Sequence, residues 1–535
     1  MSVRRLAIVG CGSSGLITLK MALDFLPDWE VACFEQSDSI VGCWGNPYPG
    51  FVSTSTRYTT QFACFPVCGT TVNQDGASRA EEFFRGDEYG QYLTSFADRF
   101  ELHDHIALNT RVEDISRDGD RWQMKLNGEL ATFDAVVICT GLAAKPKPVA
   151  GTIPQLSVAE LNHTKGLDHI TDKKIVVVGG GESAVDYANR LAKPELNNDV
   201  LLSLRSGVRV SPRYHPVRGV PSDFLRNRLM LSVDPGIRNG LGEIFVRLRI
   251  KYESQFHKIF PSKESNGQQS VSSEVVSEQT ARRKDWAMRL TMAAKDGLFN
   301  MFHNKSDDFL EAVGQGRIAI VGAAKNDAWD EFEPFDSHGN ERVSFQPDLL
   351  VPAIGFRSTL EYLTGGRMSV DEFYLGCSHV EEPGLFLVGF ARPIIGNIPT
   401  ISEMQARYVC GQIAGKFPRD ANIEGLHALD RQNRQARFAQ VDANTVFPVE
   451  MFPYCDRLAR LMGLKPGPSL LEAPVKWWRA KVCPATTMHY FHDVHSTPND
   501  LQSTQRYMPV TLVLFIILMK PVDWAWKSWK WIAST

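Results

Sequence analysis

Short apolar runs that lack polar alternation recur along this chain, two of them closed by glycine-rich clusters, and set its architecture. The first, Leu6-Ala7-Ile8-Val9, ends in Gly10-Cys11-Gly12-Ser13-Ser14-Gly15 and leads into Leu16-Ile17-Thr18-Leu19-Lys20-Met21-Ala22. An unbroken apolar run of this length is the pattern of a strand covered on both faces, so the order predicts strand, tight turn and helix. A second run, Val31-Ala32-Cys33-Phe34, then closes on Glu35. The same order returns later: Ile175-Val176-Val177-Val178, the glycine cluster Gly179-Gly180-Gly181-Glu182-Ser183-Ala184, and the strand Val200-Leu201-Leu202-Ser203-Leu204, which closes on Arg205-Ser206.

Glycine in such a turn lets the backbone bend sharply and approach a pyrophosphate, whose charge rests on unpaired N–H groups and the positive end of the helix dipole. Glu35, at the end of the second strand, is placed to accept hydrogen bonds from a ribose diol and would repel a 2′-phosphate. At the corresponding place in the second unit, Arg205 and Ser206 suit that extra phosphate. The first site is therefore expected to take FAD and the second NADPH.

Further strands follow the same logic. A helix through Tyr89-Gly90-Gln91-Tyr92-Leu93, continuing to Phe96 and Phe100, precedes Val112-Glu113-Asp114-Ile115 and then the strand Ala135-Val136-Val137-Ile138. That strand ends in Cys139-Thr140-Gly141, and Thr140 and Gly141 are small enough for backbone to pass close to a bound cofactor. The run at 349–356 echoes this strand-to-glycine turn, with Pro352 tolerable only at an edge or strand end. Gly384-Leu385-Phe386-Leu387-Val388-Gly389-Phe390 leads to the helical Ser402-Glu403-Met404-Gln405-Ala406-Arg407-Tyr408. These last strands lack a third fingerprint, so the chain is expected to return by 331 to complete the first domain. The stretch 262–278, rich in Ser, Gln and Glu, reads as an inserted loop.

At 535 residues the chain is too long for one core, and its 43% hydrophobic content suffices for two or three. A formal charge of −3 gives no basic field, so no nucleic-acid partner is expected. The ten cysteines are scattered, with no CxxC and no Cys/His ligand set; a reduced compartment and no bound metal are expected. Residues 1–5 run straight into the first strand, which predicts cytosolic synthesis without a signal peptide. The far end is different. Ten apolar residues, 510–519, precede Trp524, Trp526, Trp529 and Trp531, interleaved with Lys527 and Lys530. As a helix the run covers about 15 Å, half a hydrocarbon core, so it predicts a segment lying in the membrane interface rather than a simple span.

Taken with Phe34-Glu35-Gln36-Ser37-Asp38-Ser39-Ile40-Val41-Gly42-Cys43-Trp44, Cys139-Thr140-Gly141, and residues 383–407, the two fingerprints resemble those of the flavin-containing monooxygenase family, class B flavin-dependent monooxygenases. The likeness extends over nearly the whole chain, to Phe452-Pro453-Tyr454 and Lys481-Val482-Cys483-Pro484. It implies that NADPH reduces FAD, that reduced flavin captures O₂ as a C4a-hydroperoxide shielded by NADP⁺, and that one oxygen atom passes to a small substrate while the other leaves as water. By matching position, Gly10, Cys11, Gly12, Ser13, Ser14, Gly15, Glu35, Cys43 and Trp44 would line FAD. Gly179, Gly181, Ser183, Ala184, Val185, Asp186, Arg205 and Ser206 would meet NADPH. Two departures stand out. Where the family places an asparagine near the flavin, this chain has Ser53-Thr54-Ser55, with Thr54 at the asparagine position, making it the candidate catalytic hydroxyl. A phenylalanine-glycine-histidine signature is reduced to Ser157, Ala159 and His163.

The expected fold is α/β: two Rossmann-like domains, a discontinuous FAD domain (1–167 and 331–445) with an inserted NADPH domain (168–330), then an extension (446–507) and a membrane-associating tail (508–535). Oxygenation of a soft nitrogen or sulfur is the family default, with Baeyer-Villiger insertion or alkene oxidation next, at the cytosolic face of a membrane such as the endoplasmic reticulum. The oligomeric state stays open. Two rival readings remain: a pyridine-nucleotide disulfide reductase using Cys64 and Cys68, and a non-catalytic nucleotide-binding protein.

Overall fold

In the computed structural model, residues 3–45, 47–48, 50–66, 83–142, 145–163, 167, 169–215, 220–225, 227–259, 273–338, 344–394, 396–464, 469–482, 490 and 510–534 are described. They form two compact units. The first combines residues 1–145, 223–233 and 357–535; the second combines 146–222 and 234–356.

In the first unit, the strands Arg5–Val9, Glu30–Phe34, Ile106–Ala107, Ala135–Ile138 and Leu385–Leu387 pair in parallel, and Ser378–His379 and Phe373–Tyr374 extend one edge antiparallel. Arg5–Val9 is central, and Leu6, Ala7 and Ile8 have no exposed surface. That is why its sequence shows no alternation: both faces are covered. Helices Ser13–Phe25 and Ile398–Ile413 pack on each other, and a three-stranded antiparallel sheet (Val112–Asp118, Arg121–Leu126, Glu129–Phe133) joins the same unit.

The second unit is a four-stranded parallel sheet in the order Ile318–Val321, Asp199–Ser203, Lys174–Val178, Leu349–Pro352. Here the expected boundaries need correction. The run at 349–356 does not return to the first domain; Ile175 through Val178 pair with Leu349 through Pro352. Pro352 sits where the reading allowed it, at the end of an edge strand. Residues 146–167, expected in the first domain, also join the second unit, where Leu156 donates to the Leu350 carbonyl and Leu350 to that of Pro154. The physical reason is an unpaired sheet edge that this chain satisfies.

The tail is one helix, Val510–Ser534, with Pro521 inside it. No helix among the described residues is long and apolar enough to cross a membrane. Leu518, Trp524, Trp529 and Ile532 are exposed, whereas Asp523 is completely buried. Lys527 bonds Asp523 at 2.8 Å and the Ser232 carbonyl at 3.1 Å, and Lys520 reaches both as well. Lys527, expected to face lipid headgroups, is therefore committed to the protein.

Candidate functional site

The first glycine turn is shaped by contacts that only glycine permits. Gly10 has φ +95°, and a Cβ there would lie 3.1 Å from the Cys139 carbonyl oxygen. A Cβ on Gly15 would fall 1.9 Å from the Gly10 carbonyl oxygen, so this glycine lets helix Ser13–Phe25 press against the turn. Gly12 differs: it has ordinary extended backbone (φ −78°, ψ −167°), and its nearest neighbour would be the Gly42 Cα at 3.8 Å. Its smallness leaves room above the turn. As the N-cap residue it offers no side chain, so the first N–H groups of the helix lack a side-chain cap.

The second turn repeats the arrangement. Gly179, φ +124°, would place a Cβ 2.5 Å from the Ala353 carbonyl oxygen, whereas a Cβ on Gly181 would meet nothing within 4 Å. Gly181 is the N-cap of helix Glu182–Leu191, again without a side-chain cap. Some other helices carry side-chain caps, as at Asn227, Asp234, Ser358 and Asn397, whereas those starting after Asp87, Asp308, Asn422 and Glu450 do not. Two uncapped helix starts, each under an open cradle, fit a pyrophosphate at each turn.

Glu35 is buried at the end of Glu30–Phe34, where Oε2 accepts from the Cys11 N–H at 2.8 Å and Oε1 from the Ser37 N–H at 2.9 Å. It thus braces the turn, and each carboxylate oxygen keeps a second lone pair for a ribose hydroxyl. Cys11 is fully buried, and the Ser14 hydroxyl lies 2.9 Å from that of Ser402. These two side chains serve packing. Ser13 is half-buried in the first turn of the helix. Cys43 and Trp44 lie in the turn Gly42–Trp44; Cys43 is exposed, and the Trp44 ring packs edge-on to Tyr89 and Phe51. Ser53 is spent on structure, donating to the Ser55 carbonyl and accepting from the Phe84 N–H. Thr54 and Ser55 are half-buried in strand Val52–Thr56. Thr140 bonds Thr359, and Gly141 has φ +74° with open space around it.

In the second unit, Ala184 and Val185 point into the core beneath the sheet, so their side chains are not available to a ligand. Ser183, Asp186 and Ser206 are half-buried and Arg205 is exposed. Ser157 and Glu160 cap helix Val158–His163 reciprocally; the His163 side chain lies outside the described residues.

Several buried polar groups were not singled out from sequence. Glu403 has no exposed surface and accepts from the N–H groups of Ala63 and Cys64 at 2.7 and 3.0 Å. Gln405 accepts from the Gly389 N–H, and Asn397 donates to the Thr59 carbonyl. Ser402, Glu403 and Gln405 sit close together in one helix, and once that helix is buried such polar residues demand partners.

The thiols bear on the reductase alternative. Burial pushes Cys64 well above the ordinary thiol range and Cys139 to about 12. A redox-active thiol needs the opposite shift. Cys68 lies outside the described residues. No group of three or more metal-ligating residues occurs among the described residues.

Residues 3–263 match the family model for flavin-binding monooxygenase-like proteins. The chain is similar to the flavin-containing monooxygenase family. It is accordingly an NADPH-dependent flavoprotein monooxygenase, with FAD and NADPH as cofactors. Among curated relatives, a 4-hydroxybenzoate brominase (decarboxylating) of Marinomonas mediterranea is 26% identical, covering 88% of this chain and 86% of its own. Dimethylaniline monooxygenase [N-oxide-forming] 2 of Rattus norvegicus is 24% identical, covering 87% and 83%. Among solved structures, an oxidized steroid monooxygenase bound to NADP shares the fold with a TM-score of 0.57 at 18% identity, covering 86% of this chain and 98% of that one.

Proposed function

We propose that this monooxygenase binds FAD over Gly10 to Gly15 and NADPH over Gly179 to Asp186, and delivers one atom of O₂ to a soft nitrogen or sulfur centre of a small molecule. The observation that carries the cofactor assignment is the pair of uncapped glycine turns followed by opposite charges, Glu35 in one unit and Arg205 in the other. The N-oxide-forming relative supports the choice of acceptor.

Bound flavin supplies the electrons, taken from NADPH, that let one oxygen atom reach the substrate while the other leaves as water. The chain's own residues bind, orient and donate hydrogen bonds. Gly12 and the start of helix Ser13–Phe25 hold the pyrophosphate, Glu35 the ribose, and Arg205 with Ser206 the 2′-phosphate. Thr54 would donate from its hydroxyl in place of the family's amide, with a different reach and geometry. Neither a nucleophile-and-base pair nor a thiol is required.

Aerobic turnover under ¹⁸O₂ with a panel of amines, sulfides, ketones and alkenes tests the reading. Bromide with a phenolic acid joins the panel because of the brominase relative. Label in an N-oxide or S-oxide supports it; label only in an ester, an epoxide or water moves the assignment to the other chemistries. Thr54→Val, which keeps the shape and removes the hydroxyl, is expected to raise the share of NADPH lost as hydrogen peroxide about three- to tenfold, the value of one hydrogen bond. An unchanged share removes Thr54 from the site.

The tail is proposed to lie at a membrane surface on the cytosolic side. Support comes from the exposed Leu518, Val522, Trp524, Trp529 and Ile532 on the helix Val510–Ser534, the residue types of an interface. Deleting residues 508–535 is expected to release the protein from membranes. It also removes both lysines from Ser232, so a fall in melting temperature of a few degrees is expected while FAD content holds. Full-length protein found soluble without detergent overturns the membrane assignment.

A further inference from the structure

We infer that Asp223 is a positioning residue for Thr54, an inference that rests on the monooxygenase reading above. Asp223 opens a segment, residues 223–233, that belongs to the first unit although the chain on either side of it belongs to the second. Its carboxylate is buried, and one oxygen gathers three donors from a single turn. Oδ2 accepts from the Thr56 N–H at 2.9 Å, the Thr56 hydroxyl at 2.9 Å and the Thr59 hydroxyl at 2.7 Å. No cation pairs with it among the described residues. The other oxygen, Oδ1, is also buried and has no donor there. A buried charge compensated only by hydrogen bonds is a strained choice for mere packing, because an apolar side chain in the same place would avoid the desolvation cost.

The turn it holds is where strand Val52–Thr56 becomes helix Arg57–Thr60, two residues beyond Thr54. Thr56 is the N-cap of that helix and has an extended backbone, so its N–H is outside the helical ladder and needs a partner from elsewhere. Asp223 provides it. Charge-assisted bonds of this kind are about twice as strong as neutral ones. They fix both ends of the turn, and through it the direction in which the strand presents Thr54.

Asp223 is itself held. Five residues on, the Arg228 guanidinium bonds Asp456 at 2.7 Å and lies over the Phe452 and Tyr490 rings at 4.2 and 4.8 Å. At the end of the segment the Ser232 carbonyl takes Lys520 and Lys527. The segment is a strap pinned at three places, with the carboxylate at its front.

The test uses full-length, FAD-loaded protein carrying Asp223→Ala or Asp223→Asn. Flavin content and the anaerobic rate of flavin reduction by NADPH are read first, then the share of NADPH lost as hydrogen peroxide, then amide exchange of residues 52–60. For Asp223→Ala, content and reduction rate should stay within about twofold, while peroxide share and exchange of the turn each rise about fivefold or more, since misplacement of a group by an ångström is costly. Asp223→Asn, whose amide oxygen still accepts, should recover most of both. Faster exchange without a change in peroxide share would reduce Asp223 to a structural role and overturn the inference; so would no change in either. If Asp223→Ala does not fold, Thr59→Val removes one donor with the carboxylate in place, and the same pair of readouts decides. A wild-type protein that oxidises no NADPH in air would overturn the monooxygenase reading instead, a result the exchange measurement does not share.

Discussion

Replacing Gly12 by valine is expected to abolish stoichiometric FAD binding while the chain stays folded. The backbone at Gly12 is extended, a conformation that valine adopts without strain, and the nearest atom to a new Cβ is 3.8 Å away. The protein tolerates the side chain; the pyrophosphate would not. A branched side chain in that cradle blocks the approach of phosphate oxygens to the N–H groups of the helix start. Loss of two such charge-assisted bonds, about 1.5–3 kcal/mol each, weakens binding by two orders of magnitude or more. Gly15→Ala is the instructive contrast. Its Cβ would fall 1.9 Å from the Gly10 carbonyl oxygen, so helix and turn must separate and stability falls together with flavin. Flavin absorbance per folded protein, with melting temperature measured on the same sample, separates the two. A yellow, stoichiometric Gly12→Val protein would remove the pyrophosphate from this turn.

What sequence revealed here was local. The Gly10 to Gly15 turn, its strand and its helix lie within a span of some twenty residues, and the glycine spacing reports a backbone constraint that no distant residue supplies. The run at 349–356 shows where that logic ends. An apolar strand states that it is buried, but parallel sheets offer chemically equivalent edges, and nothing within the strand names its neighbour. Pairing with Lys174–Val178 was decided by which edge stood open. Asp223 was illegible for the same reason. Its donors are 164 and 167 positions away in the chain, and in sequence it is one acid in a loop. The tail misled in a subtler way. Lys527 among tryptophans reads as a headgroup contact, yet Asp523, one turn earlier, and the Ser232 carbonyl, nearly three hundred residues back, both take its ammonium.

Arg205→Ala is expected to remove most of the preference for NADPH over NADH without altering the NADH reaction. Arg205 follows strand Asp199–Ser203, whose end is fixed by the Ser203 hydroxyl on the Gly322 carbonyl and by the Leu204 N–H on the Val321 carbonyl. The backbone is therefore held while the guanidinium stays exposed, without an intramolecular ion pair among the described residues. Exposure sets the size of the effect. A bidentate contact to phosphate is worth about 1.5–3 kcal/mol, and solvent screening draws an exposed one toward the lower figure, or roughly tenfold in relative cofactor use. Salt supplies an independent check, because the Debye length falls from about 10 Å at 0.1 M to about 3 Å at 1 M. Raising ionic strength should erode the NADPH preference of the unaltered protein and leave that of Arg205→Ala nearly flat. The charge pattern also sets a direction for Arg205→Glu: a carboxylate there would repel the 2′-phosphate and accept from a ribose diol, as Glu35 is proposed to do in the first unit, so the preference should invert toward NADH. Steady-state kcat/KM for both cofactors across the three proteins decides the matter, and a preference that survives Arg205→Ala would assign the 2′-phosphate to another residue.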